Sequence, residues 1–164
     1  MKRLLGITAL ILFTGLAFGQ TTLTTQVDFE TEKAALNDLL DKIDAAILAS
    51  DISTMASYLS EDFLMCGTDP SEFWNKQYFV DLSKQDSNDP TPEFKYIDDR
   101  KIKVAPDGNS AIVVTQFILG WSPKIPLRMA YHFVKTNDNW MILFCNIAFI
   151  PKNEEIETIN GAID

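Results

Sequence analysis

The residues that most constrain the fold are 140–151, which read WMILFCNIAFIP. Eleven of the twelve are apolar, with Asn146 as the exception. Because β-branched and aromatic side chains dominate the segment and a polar turn at 137–139 precedes it, the pattern predicts a strand. Alternation along the strand gives two apolar faces, one with Trp140, Ile142, Phe144 and Ala148, the other with Met141, Leu143, Cys145, Ile147 and Phe149. A strand that is apolar on both faces has to be covered on both sides.

The first nineteen residues have the pattern of a secretory signal peptide. Lys2 and Arg3 form a basic start, residues 4–18 form an apolar core, and Ala17 and Gly19 supply the small side chains of a cleavage site. The apolar run is shorter than the ~20 residues that a spanning helix needs. The sequence therefore predicts export to the periplasm or the medium, with no stable membrane anchor after cleavage. An uncleaved membrane anchor is the alternative.

One domain is expected after cleavage. A mature chain that starts near Gln20 has the length of a single domain with one core. The predicted boundaries are a signal peptide at 1–19, a flexible tail at 20–26, a folded domain at 27–155 and a C-terminal tail at 156–164.

The exported part is acidic and contains two cysteines. The formal net charge of the full sequence is −9 and no basic stripe offsets it, which argues against nucleic acid as a partner. Cys66 and Cys145 fall in the exported part, where they form either a disulfide or two buried thiols. Two cysteines without nearby histidines do not make a zinc site.

The first half of the mature chain has helical patterns. Apolar residues recur at three-to-four spacing over 27–49, which predicts an amphipathic helix with one face toward a core. Asp51 is placed to cap a short second helix. The Asp69, Pro70 and Glu72 combination resembles a capping box and predicts a third helix over 70–84.

The second half has the two-residue period of strands. The predicted strands cover 63–66, 94–104, 110–121, 127–135 and 140–151, with 123–126 as a link. Helices followed by a run of antiparallel strands predict an α+β domain, in which a curved sheet wraps around the helices.

Four segments carry a resemblance to a known family. They are 48–58 with Asp51 at a helix junction, 67–74 with Gly67-Thr68-Asp69-Pro70, 99–111 with Asp107-Gly108-Asn109, and 140–154 with its Pro151-Lys152-Asn153-Glu154 exit. On these segments the mature chain resembles the SnoaL-like branch of the nuclear transport factor 2-like superfamily, whose fold is shared with ketosteroid isomerase and scytalone dehydratase. The resemblance implies a cone-shaped, curved antiparallel sheet wrapped around three N-terminal helices.

The resemblance implies little about activity, because the superfamily contains enzymes, binding proteins and assembly modules. Closing strands in this branch often carry His and Ser, where this chain has Phe144, Asn146 and Ala148. Ketosteroid isomerases use an Asp base near the end of the first strand, where this chain has Cys66 and Gly67. An isomerase mechanism therefore does not follow from the family.

Charged side chains provide the first candidate site. Asp98 and Arg100 alternate with the aromatic and aliphatic residues of one predicted strand, and charges are rare among apolar neighbours unless they are paired or functional. With Arg128 they form either a polar anchor at a pocket mouth or a structural ion pair. His132, the only histidine, is either a general base beside an acid or a structural side chain.

Amides and aromatic rings complete the candidate set. Asn146 and, more weakly, Gln116 interrupt apolar strands, so each amide either contacts a ligand or ties down a neighbouring loop. The aromatic residues are core residues first, although in a cone-shaped fold the same side chains can line a cavity. They are Tyr58, Trp74, Tyr78, Tyr96, Tyr131 and Trp140.

Missing motifs narrow the function. No second histidine, nucleophile elbow, phosphate-binding glycine loop or dinucleotide fingerprint occurs, so no cofactor and no metal are expected. The favoured function is binding of a small apolar or amphipathic molecule by Trp74, Tyr78, Tyr96, Arg100, Gln116, Arg128 and Asn146. The first alternative is a cofactor-free isomerase, dehydratase or hydrolase with Asp98 or His132 as base, and the second is an assembly module without a ligand. Strands that are apolar on both faces also predict a homodimer through the convex face of the sheet.

Overall fold

The computed structural model describes residues 26–85 and 93–163. The predicted signal peptide at 1–19 and nearly all of the predicted tail at 20–26 lie outside the described residues. Over the described ranges the chain is an α+β domain that combines three helices from its first half with a curved, open sheet. The fold class expected from the sequence is confirmed.

The first two helices form where the sequence predicts them. Helix α1 spans Phe29–Leu48, and its cap Asp28 accepts hydrogen bonds from two backbone N–H groups of the first turn. Helix α2 spans Ile52–Ser57, and the predicted cap Asp51 accepts from the backbone N–H of Thr54 at 3.0 Å. The apolar stripe of α1 faces the core, with these residues buried: Leu36, Leu40, Ile43 and Ala46.

A hairpin occupies the segment where the third helix is predicted to begin. Strand β1 spans Leu59–Cys66, strand β2 spans Phe73–Asn75, and the two pair antiparallel. Helix α3 spans Lys76–Gln85, so the predicted start at Pro70 is wrong.

The expected capping box forms only in part, and its residues close the turn of this hairpin. The Asp69 side chain accepts from the backbone N–H of Ser71 at 2.8 Å, while the Glu72 N–H donates to the backbone carbonyl of Asp69. The side chain of Glu72 accepts from the backbone N–H of Asp69 at 2.9 Å, and the Gly67 N–H donates to the Glu72 carbonyl at 3.0 Å. Asn75 caps α3 instead, accepting from the backbone N–H of Tyr78 at 2.9 Å.

Seven strands form one sheet in the described residues. The remaining strands are β3 at Phe94–Tyr96, β4 at Lys101–Val104, β5 at Ser110–Leu119, β6 at Ser122–Thr136 and β7 at Asn139–Phe149. Their spatial order is β2-β1-β7-β6-β5-β3, and β4 pairs with β5 beside β3. All pairs are antiparallel except β1 with β7, which is parallel. Parallel neighbours need a long connection, and most of the domain lies between these two strands in the sequence.

Two predicted strand boundaries are wrong. The expected strand at 94–104 is broken at 97–100 into β3 and β4, so Asp98 and Arg100 lie in a loop and not on a strand face. The expected link at 123–126 belongs to β6, because the β5–β6 hairpin turns at Gly120 and Trp121.

A bulge at Leu143 of β7 reverses which side chains of that strand point to each face of the sheet: even-numbered residues point inward before it and odd-numbered residues after it. On β6 the consecutive residues Phe133 and His132 pair with Ile142 and Phe144, so Leu143 has no partner there. Trp140, Ile142 and Cys145 are all buried as a result. The simple alternation predicted for 140–151 therefore holds only up to Leu143.

The side of the sheet that packs on α1, the inner face, holds the core. Leu36 and Leu40 of α1 cluster with Val113, Tyr131 and Phe133 of the central strands. The opposite side, the outer face, consists of residues that alternate with these on β5 to β7: Ile112, Val114, Gln116, Arg128, Ala130, His132, Phe144, Asn146 and Ala148.

The two cysteines are free thiols. In the β1–β7 register Cys145 pairs with Met65, while Cys66 pairs with Asn146. Because side chains alternate along a strand, the two sulfur atoms point to opposite faces of the sheet. Burial raises the pKa of the Cys145 thiol to about 12.

The segment expected as a C-terminal tail contains a short helix. A 3-10 turn at Asn153–Glu155 leads into helix α4 at Ile156–Asn160. In the described ranges no helix combines the length and the apolar character that crossing a bilayer requires.

Candidate functional site

An apolar cavity lies between the second half of α1 and the inner face of the sheet. Its volume is 170 Å³. Side chains from α1, β3, β5, β6 and β7 form its apolar wall: Ile47, Phe94, Phe117, Leu119, Met129 and Ile147. Because Ile47 is 37% exposed, the cavity reaches the surface beside α1.

The charged group of this cavity is the carboxyl of Asp44. It lies on the buried stripe of α1, four residues after Leu40, and its side chain is only 15% exposed. The Oδ2 atom accepts from the Tyr96 hydroxyl at 2.7 Å and from Nη2 of Arg100 at 2.8 Å. Helix α1 and the loop after β3 are therefore joined at the cavity wall.

Arg100 makes four contacts at this point. Its Nη1 donates to Asp41 at 2.7 Å and to the Asn37 carbonyl at 3.0 Å, while Nη2 contacts Asp44. The guanidinium also lies 5.4 Å from the ring centre of Tyr96, as a cation–π contact. The charge of Arg100 is thus paired within the fold, with Asp41 and Asp44 and not with Asp98.

Burial changes the proton affinity of the polar cavity groups. Desolvation raises the pKa of Asp44, against the lowering effect of the hydrogen bond from Tyr96 and of the Arg100 charge. It also raises the pKa of Tyr96 to about 12, and the hydrogen bond to Asp44 acts in the same direction. The pKa of Tyr131, which lines the cavity from β6, is raised by burial as well.

The hydroxyl of Tyr131 is available within the cavity. Tyr131 is 8% exposed, and its hydroxyl has no hydrogen-bond partner among residues 26–85 and 93–163. A buried phenol normally finds a partner, so this group and Asp44 are the polar sites that a bound molecule would meet.

Asp98, predicted as a base, lies outside the cavity wall. Its Oδ1 atom accepts from Nζ of Lys101 at 3.1 Å and from the backbone N–H of Asp99 at 2.8 Å. The hydrogen bond from Lys101 is the main cause of its lowered pKa. Asp98 borders an open 430 Å³ groove with Tyr96 and Arg100, on the solvent side of the loop.

Four other predicted site residues gather on the outer face. Gln116 and Arg128 are paired across β5 and β6, and Asn146 pairs with Ala130. His132 pairs with Ile112 and Phe144. Asp98, Arg100 and Asn146 do not share one cavity, because Asp98 lies in the loop after β3 and the β7 bulge turns Asn146 outward.

Trp74 lies on β2 and Tyr78 in the first turn of α3. The Trp74 ring stacks on Phe79 with 6.3 Å between ring centres, and Tyr78 is 56% exposed. Of the predicted ligand-binding residues, Tyr96 lines the apolar cavity and Arg100 supports its wall.

Asp44 is not among the site residues that the sequence pattern predicts. The sequence does contain an indication of its role. Asp44 follows Leu40 by four residues and precedes Ile47 by three, so this acid lies on the apolar face of α1. Tyr131 was grouped with the possible cavity aromatics, but its alternation with His132 could not show which of the two faces inward.

Other depressions are larger but less enclosed by apolar side chains. A 610 Å³ cleft lies between α1, α2 and the β6–β7 turn, where Lys42, Asn137 and Asp138 contribute to its wall. In the described part of the chain no three His, Cys, Asp or Glu side chains are placed to hold a metal ion.

A family model described as SnoaL-like domain matches residues 36–149. These residues include α1 from Leu36, the complete sheet and every side chain named for the apolar cavity. No curated protein gives a significant sequence match.

Solved structures share the fold at low sequence identity. An NTF2-like protein from Cytophaga hutchinsonii is 14% identical, with a TM-score of 0.59 over 72% of this chain and 98% of that chain. A cystatin-like fold protein from Burkholderia xenovorans is 16% identical, with a TM-score of 0.63 over 74% and 94%. An NTF2-like protein from Shewanella baltica is 17% identical, with a TM-score of 0.59 over 77% and 99%. At these identities the likeness is one of fold.

Proposed function

The chain belongs to the SnoaL-like domain family, and from this premise we propose that it binds a small apolar or amphipathic molecule in the cavity beside Asp44. The observation that carries the proposal is the enclosure of that carboxyl by six apolar side chains at an opening to the surface. Small-molecule sites are typically concave and apolar, with a few polar groups that fix orientation.

The volume of the cavity limits the ligand. At 170 Å³ it is smaller than the roughly 300–1,000 Å³ of sites for drug-sized molecules, and close to an engineered cavity of about 150 Å³ that binds benzene. A single ring or a short branched chain fits this space, whereas a steroid or a diacyl lipid exceeds it.

Ligand-observed NMR with a panel of monocyclic and short-chain compounds tests the proposal. Binding is expected at micromolar to millimolar concentration, and filling the cavity by Ile147→Phe is expected to abolish it. Ile97→Phe, at a 44% exposed position in the loop after β3, is the matched control and should bind like the wild type. Absence of binding across the panel, or equal binding by the Ile147→Phe variant, would refute the proposal.

A cofactor-free enzyme is the second candidate, with Asp44 as the base. Burial raises the pKa of Asp44, whereas the contact with Lys101 lowers the pKa of Asp98. A carboxyl with a raised pKa beside a cavity is a typical general base. If turnover of any cavity-sized ketone, epoxide or ester is found, Asp44→Asn should lower kcat at least about a hundredfold, and Asp98→Asn should leave it unchanged.

The outer face supports a homodimer. Its central residues, including Val114, Ala130 and Phe144, are half-buried with no covering element among the described residues, and Ile112 is 45% exposed. Analytical ultracentrifugation should show a dimer at micromolar concentration. Ala130→Arg should make it a monomer, whereas Leu48→Arg, at a 57% exposed position on α1, should not.

A monomeric wild-type protein at micromolar concentration would exclude the dimer. A stable dimer without any bound ligand in the NMR panel would instead favour an assembly module.

Export is part of the proposed function. The basic start, apolar core and small residues at 17 and 19 support cleavage before Gln20. N-terminal sequencing of the protein recovered from a periplasmic or medium fraction should begin at Gln20. Recovery of the uncleaved chain from the membrane fraction would favour an anchor.

A further inference from the structure

Asp44 and Tyr131 line the apolar cavity with hydrogen-bonding capacity that the fold does not use, and the two groups complement each other as acceptor and donor. Both side-chain hydrogen bonds of Asp44 end on Oδ2, so Oδ1 has no donor from the described residues. In Tyr131 the hydroxyl has neither donor nor acceptor partner within the described ranges. A carboxylate oxygen only accepts, while a phenol hydroxyl both donates and accepts.

We propose that the cavity selects a neutral hydroxyl-bearing molecule of about one ring, whose hydroxyl donates to Asp44 and accepts from Tyr131. The proposal rests on the proposed binding function and names its ligand class. One hydroxyl oxygen supplies the donor and the acceptor that these two side chains need, and the remaining atoms of the ligand occupy the apolar wall.

The charges around the cavity exclude other head groups. A carboxylate would meet the Asp44 carboxylate and offer it no donor. An ammonium could donate to Asp44 but could not accept from Tyr131. It would also add a second positive charge near Arg100, which already lies 2.8 Å from Asp44 and compensates its charge.

The size of the cavity excludes polyols. Six apolar residues surround Asp44 and Tyr131, so a further hydroxyl would be buried without a partner. A single hydroxyl on a hydrocarbon ring therefore matches both the space and the hydrogen-bonding groups.

Four probes of nearly equal shape test the proposal: toluene, benzyl alcohol, benzylamine and benzoate. Dissociation constants are measured for the full mature protein by NMR titration. We expect benzyl alcohol to bind about tenfold or more tightly than toluene, because each additional hydrogen bond contributes roughly 1 kcal/mol. Benzylamine and benzoate should bind more weakly than benzyl alcohol.

Tyrosine variants assign the preference to the cavity. Tyr131→Phe removes the unpartnered hydroxyl and should reduce the benzyl alcohol preference over toluene severalfold, without weakening toluene. Tyr58→Phe is the matched control, because Tyr58 borders the 610 Å³ cleft and not the apolar cavity. The Tyr58 variant should retain the wild-type preference.

The outcomes separate the two proposals. Equal affinity for toluene and benzyl alcohol would refute the hydroxyl inference and leave the binding function intact. Tighter binding of benzylamine would replace it with a cation site. No binding by any probe would refute the binding function itself, and an unchanged preference in Tyr131→Phe would remove Tyr131 from the recognition of the hydroxyl. The wild-type series alone is sufficient if the Tyr131 variant does not fold.

Discussion

Nη2 of Arg100 lies 2.8 Å from Oδ2 of Asp44, and the two side chains are 14% and 15% exposed. This pair fixes the loop between β3 and β4 on α1, at the wall of the apolar cavity. Because Tyr96 donates to the same carboxylate oxygen, Asp44 contacts both the last residue of β3 and the loop that follows it. The same carboxyl therefore anchors the β3–β4 loop and lines the candidate site.

The titration of Asp44 should reduce stability as pH rises. Burial raises its folded-state pKa above 3.8, so the unfolded chain loses this proton at lower pH than the folded protein does. The free energy of unfolding of the wild type, relative to Asp44→Asn, should fall between about pH 3.8 and the folded-state pKa and be level above it. Urea unfolding of both proteins from pH 3 to 8 measures this difference, and a rise over the interval would contradict the raised pKa.

The Glu32 side chain should stabilise the fold far more than its neighbour Glu30 in the same helical turn. Glu32 is 20% exposed, pairs with Lys135, and accepts from the indole N–H of Trp140 at 2.9 Å. Glu32→Gln should cost about 2 kcal/mol, because it leaves a partly buried lysine without its counter-charge.

Glu30→Gln is the control for this prediction. Glu30 is 83% exposed and, among the described residues, pairs only with Lys33 in the same turn, so its change should cost less than about 0.5 kcal/mol. Similar costs for both variants in urea unfolding at pH 7 would show that the link from α1 to β6 and β7 contributes little.

Replacing Thr115 by Val should stabilise the protein. Thr115 is 1% exposed on β5, and its hydroxyl is buried without a hydrogen-bond partner in the described part of the chain. Val has nearly the same shape and removes this polar group, so a gain of about 1 kcal/mol is expected. Thr136→Val at the exposed end of β6 is the control, with no gain expected. A lower Tm for Thr115→Val would indicate that water or a ligand satisfies the hydroxyl.

Gly67→Ala should destabilise the β1–β2 hairpin. A Cβ at Gly67 would lie 2.7 Å from Cβ of Glu72, closer than side chains approach one another, so the turn would have to open. A loss of about 1–3 kcal/mol is expected, because the contact strains a closed turn. At Gly161 a Cβ would meet only ordinary contacts of 3.5 Å and more, and Gly161→Ala should be neutral in thermal unfolding.

The helices were predictable because their signals are local. The three-to-four spacing of α1 and the cap at Asp51 depend on neighbouring residues, and both predictions are confirmed. The Asp69–Glu72 signature was misassigned to a helix, because the same hydrogen bonds can close a hairpin turn when the following residues pair with an adjacent strand. That pairing is tertiary, and no local pattern contains it.

The site was only partly predictable, since both faces of β7 are apolar. Shifting the alternation by one residue leaves both faces equally apolar, so nothing in the sequence marks Leu143 as a bulge. That bulge determines that Asn146 points to the outer face and not into the cavity. The pattern around Arg100 predicts a charge that needs a partner, but the apolar spacing of α1 does not identify Asp44 as that partner, because an acid beside an apolar stripe is usually a solvent-facing residue.

The bulge at Leu143 divides β7 into two sections that can change independently. Trp140 and Ile142, before it, complete the packing of α1, while Ile147, after it, shapes the ligand cavity. A family of such domains could therefore remodel its binding pocket by varying residues after the bulge, without disturbing the half of the strand that holds the protein together.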